Sequence, residues 1–384
     1  MTDTLPQEKR VTWAELYFDL VFVFAVTQVS QLLHHHHDAA GIGQALVAFA
    51  PVYWCWVGTT VQANIRDVDS PRDRIGIFAV GLGGLFMALA LPGAYGARGV
   101  LFGAGYWGAR LVLLWLLREV PGVWRGPYGV GAAISGPAML VGGLLDSPAR
   151  ELLWAVAAFC DLAAPLVFRR RLANVTYHPG HLPERFGLFL LVALGESIVG
   201  IGAPVAEGRL HPAQLLSVAV AFVISCALWW LYFGFASDAM RFAVETAASR
   251  RDMIRWVFSY GHLLLIAGVI AVAVGFGETV AQPGRALGIG TLGLLYGGCA
   301  LYLLSFSYTR RMMFGTISPT RLAAAVAVLL LLPLMVRLPA LAALAVLAVV
   351  MVALNVTEHV RVRRAQAREG GPVGSDQCLA PELR

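Results

Sequence analysis

Apolar runs long enough to cross a bilayer recur along the chain at about 15–36, 42–64, 75–95, 99–117, 129–146, 150–168, 184–204, 211–236, 254–275, 286–306, 321–336 and 339–358. Each is near the ~20 residues a helix needs to span the hydrocarbon core. The pattern predicts about twelve transmembrane helices and an all-α polytopic membrane protein. Pro51, Pro92, Pro137, Pro165 and Pro333 lie within the runs. Membrane helices tolerate such residues because neighbouring groups satisfy the freed backbone. The first run follows a polar stretch and lacks a small-residue cleavage site, so it is expected to remain as a spanning helix rather than a signal peptide.

Composition strengthens this picture. The 384 residues are 58% hydrophobic and 14% charged, with a mean hydropathy of +0.70. Soluble domains carry about 25% charged residues, and a soluble fold of this size could not hide so much apolar surface. A soluble enzyme, a disordered chain and a nucleic-acid-binding domain are excluded. The net charge is +6, and its placement sets an orientation. Of the 29 basic residues, 23 fall in segments on the N-terminal side of the expected membrane and 5 on the other side, with Arg110 inside the fourth run. The positive-inside rule puts both termini in the cytoplasm, with the chain in the cytoplasmic membrane.

The chain also repeats itself. The first helix opens with Glu15-Leu16-Tyr17-Phe18-Asp19 and carries Thr27-Gln28 deeper in. The seventh opens with Glu184-Arg185-Phe186-Gly187 and carries Glu196-Ser197 at a matching offset. Trp54 and Trp56 in the second helix correspond to Trp229 and Trp230 in the eighth. Arg72-Asp73 precedes the third helix as Arg251-Asp252 precedes the ninth, and Cys160-Asp161 sits where Leu354-Asn355 sits in the twelfth. The expected organisation is two parallel six-helix repeats, 1–176 and 177–360, related by an axis along the membrane normal. A disordered cytoplasmic tail, 361–384, follows.

Ionisable groups at membrane depth are costly and usually face a bundle interior or a water path. Asp19, Asp161 and Glu196 stand out, with Arg110, His262, Glu278 and Asn355 behind them. On a helix Glu15, Asp19, Thr27, Ser30, His34 and His37 share an arc of roughly 120°. Glu184 and Glu196 span a similar arc on the seventh helix. The expected transport path is lined by Glu15, Asp19, Thr27, Gln28, Asp161, Glu184, Glu196 and Ser197. The competing reading is interhelical bonding that holds the bundle together, with Arg110 and Asp161 as a structural ion pair. The Trp pairs are read as packing or interfacial anchors.

Other chemistry is thin. His34 to His37 point in four directions on a helix and suit a solvated helix end. His178-Pro179-Gly180-His181 reads as a loop rather than a helical zinc motif. Gly195-Glu196-Ser197 lacks the context of a nucleophile elbow. The five cysteines form no C-x-x-C pair. No phosphate-binding G-x-x-x-x-G-K-[ST] loop occurs. No catalytic residue, metal or cofactor is expected. The expected partners are the lipid bilayer and an ion or small solute, with no nucleic acid, and a homo-oligomer is compatible with this reading.

The segment Thr12-Trp13-Ala14-Glu15-Leu16-Tyr17-Phe18-Asp19, continuing to Thr27-Gln28, resembles the opening signature of the bacterial low-temperature-requirement protein A (LtrA) family. Glu184-Arg185-Phe186-Gly187-Leu188-Phe189, followed by Leu194-Gly195-Glu196-Ser197, resembles its second signature. The resemblance covers about residues 10–360 and implies a polytopic membrane protein; the family name reports a growth phenotype and brings no biochemical activity. A weaker resemblance joins Phe18-Asp19 and Phe22 to Thr27 to potassium channels that carry an F-S-D motif and are built from six-helix repeats. Here Tyr-Phe-Asp replaces Phe-Ser-Asp, and Leu188 stands at the matching place in the seventh helix. The functional expectation is movement of an ion or small solute along a polar path between the repeats. One alternative is a cation channel with a hydrophobic gate at Phe22 and Val26. The other is an intramembrane or lipid-modifying enzyme using carboxylates for acid–base work.

Overall fold

The computed structural model describes residues 9–66, 68–169, 177–206, 210–247 and 249–368. Among these, regular structure is helical apart from one antiparallel bridge between Ala286 and Pro339. Among the described residues, nine helices are long and apolar enough to cross a membrane. Three further stretches complete the twelve that the apolar runs lead one to expect. Pro319–Met335 is apolar but shorter. The stretch 127–144 is interrupted by a π-helical segment, Gly131–Ser135, and Ala149–Val167 carries Arg150, Glu151 and Asp161. The chain is an all-α polytopic membrane protein that divides into two compact units, Met1–Arg185 and Phe186–Arg384.

The first unit holds α1 (Trp13–His35), α2 (Ala39–Ile65), α3 (Pro71–Ala90), α4 (Gly99–Leu116), α5 (127–144) and α6 (Ala149–Val167). It also includes the first turn of α7 (His181–Gly202). Local chemistry starts α1: Thr12 accepts from the Glu15 backbone N–H, and the Glu15 carboxylate accepts in return from the Thr12 backbone N–H. This capping box satisfies two donors that a helix start otherwise leaves open. Along α1, Trp13, Tyr17 and Leu20 are 87%, 63% and 61% exposed, while Glu15 and Asp19 are 0% and 4% exposed. A soluble helix does the reverse. Lipid is the solvent that makes apolar-out and charged-in the cheaper arrangement.

Helix α2 is the core of this unit. Every residue from Pro51 to Thr60 is buried, and Thr59, Thr60, Gln62 and Asn64 in its last turns have no exposure. Helices α3 and α4 meet at Gly83 and Gly105, where a Cβ on Gly83 would lie 2.7 Å from the Gly105 carbonyl oxygen, so backbone packs on backbone. At one end of the unit Arg66 and Arg72 both donate to Glu119, at 2.9 and 3.2 Å. The Arg66 bond first, and the Arg72 bond next, hold the exposed Glu119 carboxyl below its usual range. At the other end the Arg150 guanidinium donates to the carbonyls of Leu145, Ala94 and Gly96 at 2.8–3.0 Å, tying two loops to α6.

The second unit contains the rest of α7, then α8 (Pro212–Thr246), α9 (Arg250–Ala281), α10 (Ile289–Phe314), α11 (Pro319–Met335) and α12 (Ala340–Arg368). Two of these helices contain π-helical segments, Tyr232–Ala236 in α8 and Ile254–Gly261 in α9. Such segments insert an extra residue into a turn. A bidentate pair joins α11 to α12: Arg321 Nε and Nη2 donate to the two Glu358 oxygens at 2.8 and 2.7 Å. Helix α12 runs on to Arg368, through residues 361–368 of the expected tail; the remaining positions, 369–384 with Cys378, lie outside the described residues.

Candidate functional site

Four ionisable side chains converge in the first unit. Glu15 and Asp19 lie one turn apart on α1, and His181 and Arg185 lie one turn apart on the start of α7. Arg185 Nη1 donates to Asp19 Oδ2 at 2.5 Å and to the Glu15 carbonyl at 3.1 Å. Its Nε lies 3.6 Å from Glu15 Oε1. From α2, Trp56 Nε1 donates to Asp19 Oδ1 at 2.8 Å, and the guanidinium sits over the Trp56 ring. His181 Nε2 lies 2.9 Å from Glu15 Oε1. Glu15, His181 and Arg185 have no exposed surface. Removing one partner from a buried pair of this kind typically costs about 3–5 kcal/mol.

A hydrogen-bond network ties His181 and its preceding loop to α2. Asn64 Oδ1 accepts from the His178 backbone N–H at 3.1 Å, and Asn64 Nδ2 donates to the His178 carbonyl at 2.9 Å. Those two bonds assign which end of the amide is nitrogen. That nitrogen also faces His181 Nδ1 at 3.4 Å. Glu15 Oε2 accepts from both the backbone N–H and the hydroxyl of Thr12, at 2.9 and 3.0 Å. All of the named contacts to the Glu15 carboxylate come from donors, as suits the ionised form. Two carboxylates then face one guanidinium and one imidazole.

A second charged group lies on another face of α2. Arg110 Nη2 of α4 sits 3.6 Å from Asp161 Oδ1 of α6, with both side chains 2% exposed. The Tyr106 hydroxyl donates to Asp161 Oδ2. Arg110 Nη2 also donates to the Pro127 carbonyl at 3.2 Å, and Tyr128 donates to the Gly58 carbonyl at 2.8 Å. Two glycines make room for this guanidinium. A Cβ at Gly58 would lie 3.2 Å from Nη1, and one at Gly131, the first residue of the π segment in α5, would collide with it. Among the described residues no group of three or more His, Cys, Asp or Glu side chains is placed to hold a metal.

The other residues singled out from sequence are placed as follows. Thr27 and Gln28 are half-buried on α1, and the Thr27 hydroxyl donates to Val23 of its own helix at 3.2 Å. Glu184 is exposed and stands apart from the cluster formed by its neighbour Arg185. Glu196 and Ser197 are buried on the part of α7 in the second unit, where Ser197 donates to the Leu194 carbonyl and meets the Ser225 hydroxyl at 2.7 Å. His262 pairs with the Tyr232 hydroxyl at 2.8 Å, and Thr291 donates to Glu278. Asn355 donates to the Ala227 and Met351 carbonyls. Helix α1 ends at His35, and His35 and His36 are exposed.

Sequence reasoning missed Trp56, Asn64, His181 and Arg185 as members of the site. Arg185 stood at the opening of the seventh helix, where an arginine beside a polar loop is ordinary, and His181 in a Pro-Gly context read as non-helical. The signal was there: His181 and Arg185 are four apart, as are Glu15 and Asp19, so each pair shares a helix face. Pro183 in the first turn is compatible with a helix start at His181.

Helices that turn apolar faces outward and seal charged groups inside define an integral membrane protein of many spans. Residues 10–356 match the family described as bacterial low temperature requirement A protein (LtrA), and the chain belongs to that family. It is similar to an uncharacterized protein of Rhizobium meliloti (strain 1021), 27% identical over 319 residues that cover 79% of this chain and 78% of that protein. No solved structure matches the chain. Glu15, Asp19 and Arg185 all fall within the two segments that carry the family resemblance.

Proposed function

We propose that the protein moves an ion or small solute across the membrane, and that Asp19 takes up and releases a proton as it does so. The observation that carries this reading is the buried cluster itself, in which two carboxylates share one guanidinium and one imidazole. Uncompensated charge sealed at membrane depth is costly. A proton that arrives on the cluster or leaves it changes its charge by one unit. Asp19 is the carboxylate suited to the exchange. Glu15 is tied into the cap of α1, whereas Asp19 accepts from the movable side chains of Trp56 and Arg185. Glu196 is assigned the corresponding role in the second repeat, with Thr27 and Gln28 in the first and Ser197 in the second as polar lining of the path.

The test is flux in liposomes of purified protein under imposed ion and pH gradients. Asp19→Asn keeps volume and the bond from Trp56 while removing the charge. It is expected to insert and fold normally and to abolish pH-dependent flux, and Glu196→Gln to reduce it. Unchanged transport with both substitutions would assign the carboxylates to the structural framework alone.

Orientation belongs to the same proposal and rests on the arginine distribution. Single cysteines introduced near residues 70 and 245 are expected to be shielded from an external thiol reagent in intact cells. One near residue 97 is expected to label. Labelling at 70 from outside would reverse the assignment of both termini to the cytoplasm.

A further inference from the structure

Three arginines gather around a single carboxylate at one end of the first unit. Arg66 closes α2, Arg72 lies in the first turn of α3, and Arg118 follows the end of α4. Beside the two bonds that Arg66 and Arg72 donate to Glu119, Arg118 Nη2 lies 3.7 Å from the same carboxylate. Among the described residues Glu119 is the one carboxylate paired with these guanidiniums. The acids nearby are engaged elsewhere: Asp69 pairs with Arg74, and Asp73 is bonded to Ser70 at the start of α3. Arginine stays charged, so three cations face one anion.

The lipid-facing surface of the unit leads into this group. Leu111 and Trp115, 46% and 45% exposed, lie one turn apart on the outward face of α4, and Arg118 follows within the next turn. On α3, Ile75 and Phe78 also face outward. Gly76 lets the two helices close up here: a Cβ on it would lie 2.5 Å from Leu116 Cδ2. The guanidinium carbons of Arg72 and Arg118 accordingly come within 4.6 and 4.8 Å of the Trp115 ring centroid. An apolar track thus ends at a tryptophan, the residue that favours the membrane–water boundary, and then at the arginines.

We propose that Arg66, Arg72 and Arg118 bind the phosphodiester headgroup of an anionic phospholipid whose acyl chains lie along Ile75, Phe78 and Leu111. Glu119 engages one nitrogen of each guanidinium and sets the three side chains together, and a phosphate offsets the charge that Glu119 leaves over. Guanidinium is well matched to phosphate oxygens, and basic pockets at helix ends recognise anionic headgroups in this way. A free phosphate would meet the same cations but would make no use of the apolar track. A zwitterionic lipid would bring a choline cation, and Trp115, the aromatic ring that could receive it, already carries two guanidiniums. The site uses no residue of the Asp19 cluster and does not depend on the transport reading.

Photo-crosslinking tests the site. The intact protein is placed in phosphatidylcholine nanodiscs with a trace of phosphatidylglycerol that carries a diazirine near its glycerol backbone. Adducts are mapped by peptide mass spectrometry, with the same diazirine on phosphatidylcholine as the reference probe. Segments 66–78 and 111–119 are expected to label about tenfold more with the phosphatidylglycerol probe, in keeping with two cations beyond the one that Glu119 balances. Arg72→Gln together with Arg118→Gln is expected to bring the two probes level in these segments and to leave labelling elsewhere unchanged. Soluble glycerol phosphate is expected to displace neither probe. Equal labelling by the two probes in the parent protein would overturn the site. So would a preference that survives in the double variant or, should that variant not fold, one undiminished in Arg118→Gln alone. Displacement by glycerol phosphate would overturn the lipid in favour of a free anion.

Discussion

Arg185→Leu is expected to destabilise the protein more than any other single substitution in the first unit. It removes the guanidinium that faces both Glu15 and Asp19 and leaves two buried carboxylates beside a single imidazole. Breaking one buried pair costs about 3–5 kcal/mol, and here a single side chain serves two acids and the Glu15 carbonyl. The expected result is low yield and a strongly lowered midpoint in detergent. Arg185→Lys should fall between, because an ammonium keeps the charge but lacks the planar fork that reaches several acceptors at once. Adding Asp19→Asn to Arg185→Leu should recover part of the loss, since one of the two stranded charges is then gone and Trp56 keeps its acceptor. A midpoint for Arg185→Leu equal to that of the parent would show that the cluster contributes nothing to the fold.

The second large effect is expected at Arg110 and Asp161. Arg110→Leu strands Asp161, and Asp161→Leu strands Arg110, each in a site with almost no access to solvent. Either change alone should cost on the order of 3–5 kcal/mol. The pair replaced together should cost clearly less than the sum, because neither charge is then left behind. A double-mutant cycle measures this, with a coupling of about 1.5–3 kcal/mol expected for side chains in contact. Strict additivity would mean that the two side chains do not act as a pair. Tyr106 supplies an internal check: Asp161→Asn keeps an acceptor for its hydroxyl, so that variant should be milder than Asp161→Leu.

The helices were legible because the bilayer writes them as runs of apolar residues, whatever the neighbours are. The inward position of Asp19 and Asp161 was legible for the same reason, since lipid leaves a charge nowhere else to go. For Asp161 sequence also offered the partner, Arg110, which lies 3.6 Å away; what it could not supply was the partner of Asp19. Arg110 announced itself as a charge inside an apolar run. Arg185 did not, because it sits four residues into its helix, next to a polar loop, where an arginine is ordinary. Glu184 shows the converse. It looked like the start of a polar stripe, yet one residue is 100° of rotation, and the inward face at that level belongs to Arg185. Thr12 and Glu15, three apart at the start of an apolar run, also carry the pattern of a capping box. The role of Asn64 was beyond sequence altogether, because it depends on a backbone peptide 114 residues away.

The π-helical segments have a consequence for how these helices tolerate change. Tyr232 opens one such segment and His262 directly follows another, and their side chains meet at 2.8 Å. An extra residue in a turn rotates everything beyond it by roughly 100° relative to an uninterrupted helix. The meeting of Tyr232 and His262 is thus encoded in residue number as much as in residue type. Many apolar replacements within Ile254–Gly261 would leave the pair aligned, whereas deletion of a single residue there would swing His262 toward a different neighbour. In this part of the chain, length is the inherited information, and a one-codon deletion is the mutation the fold is least able to absorb.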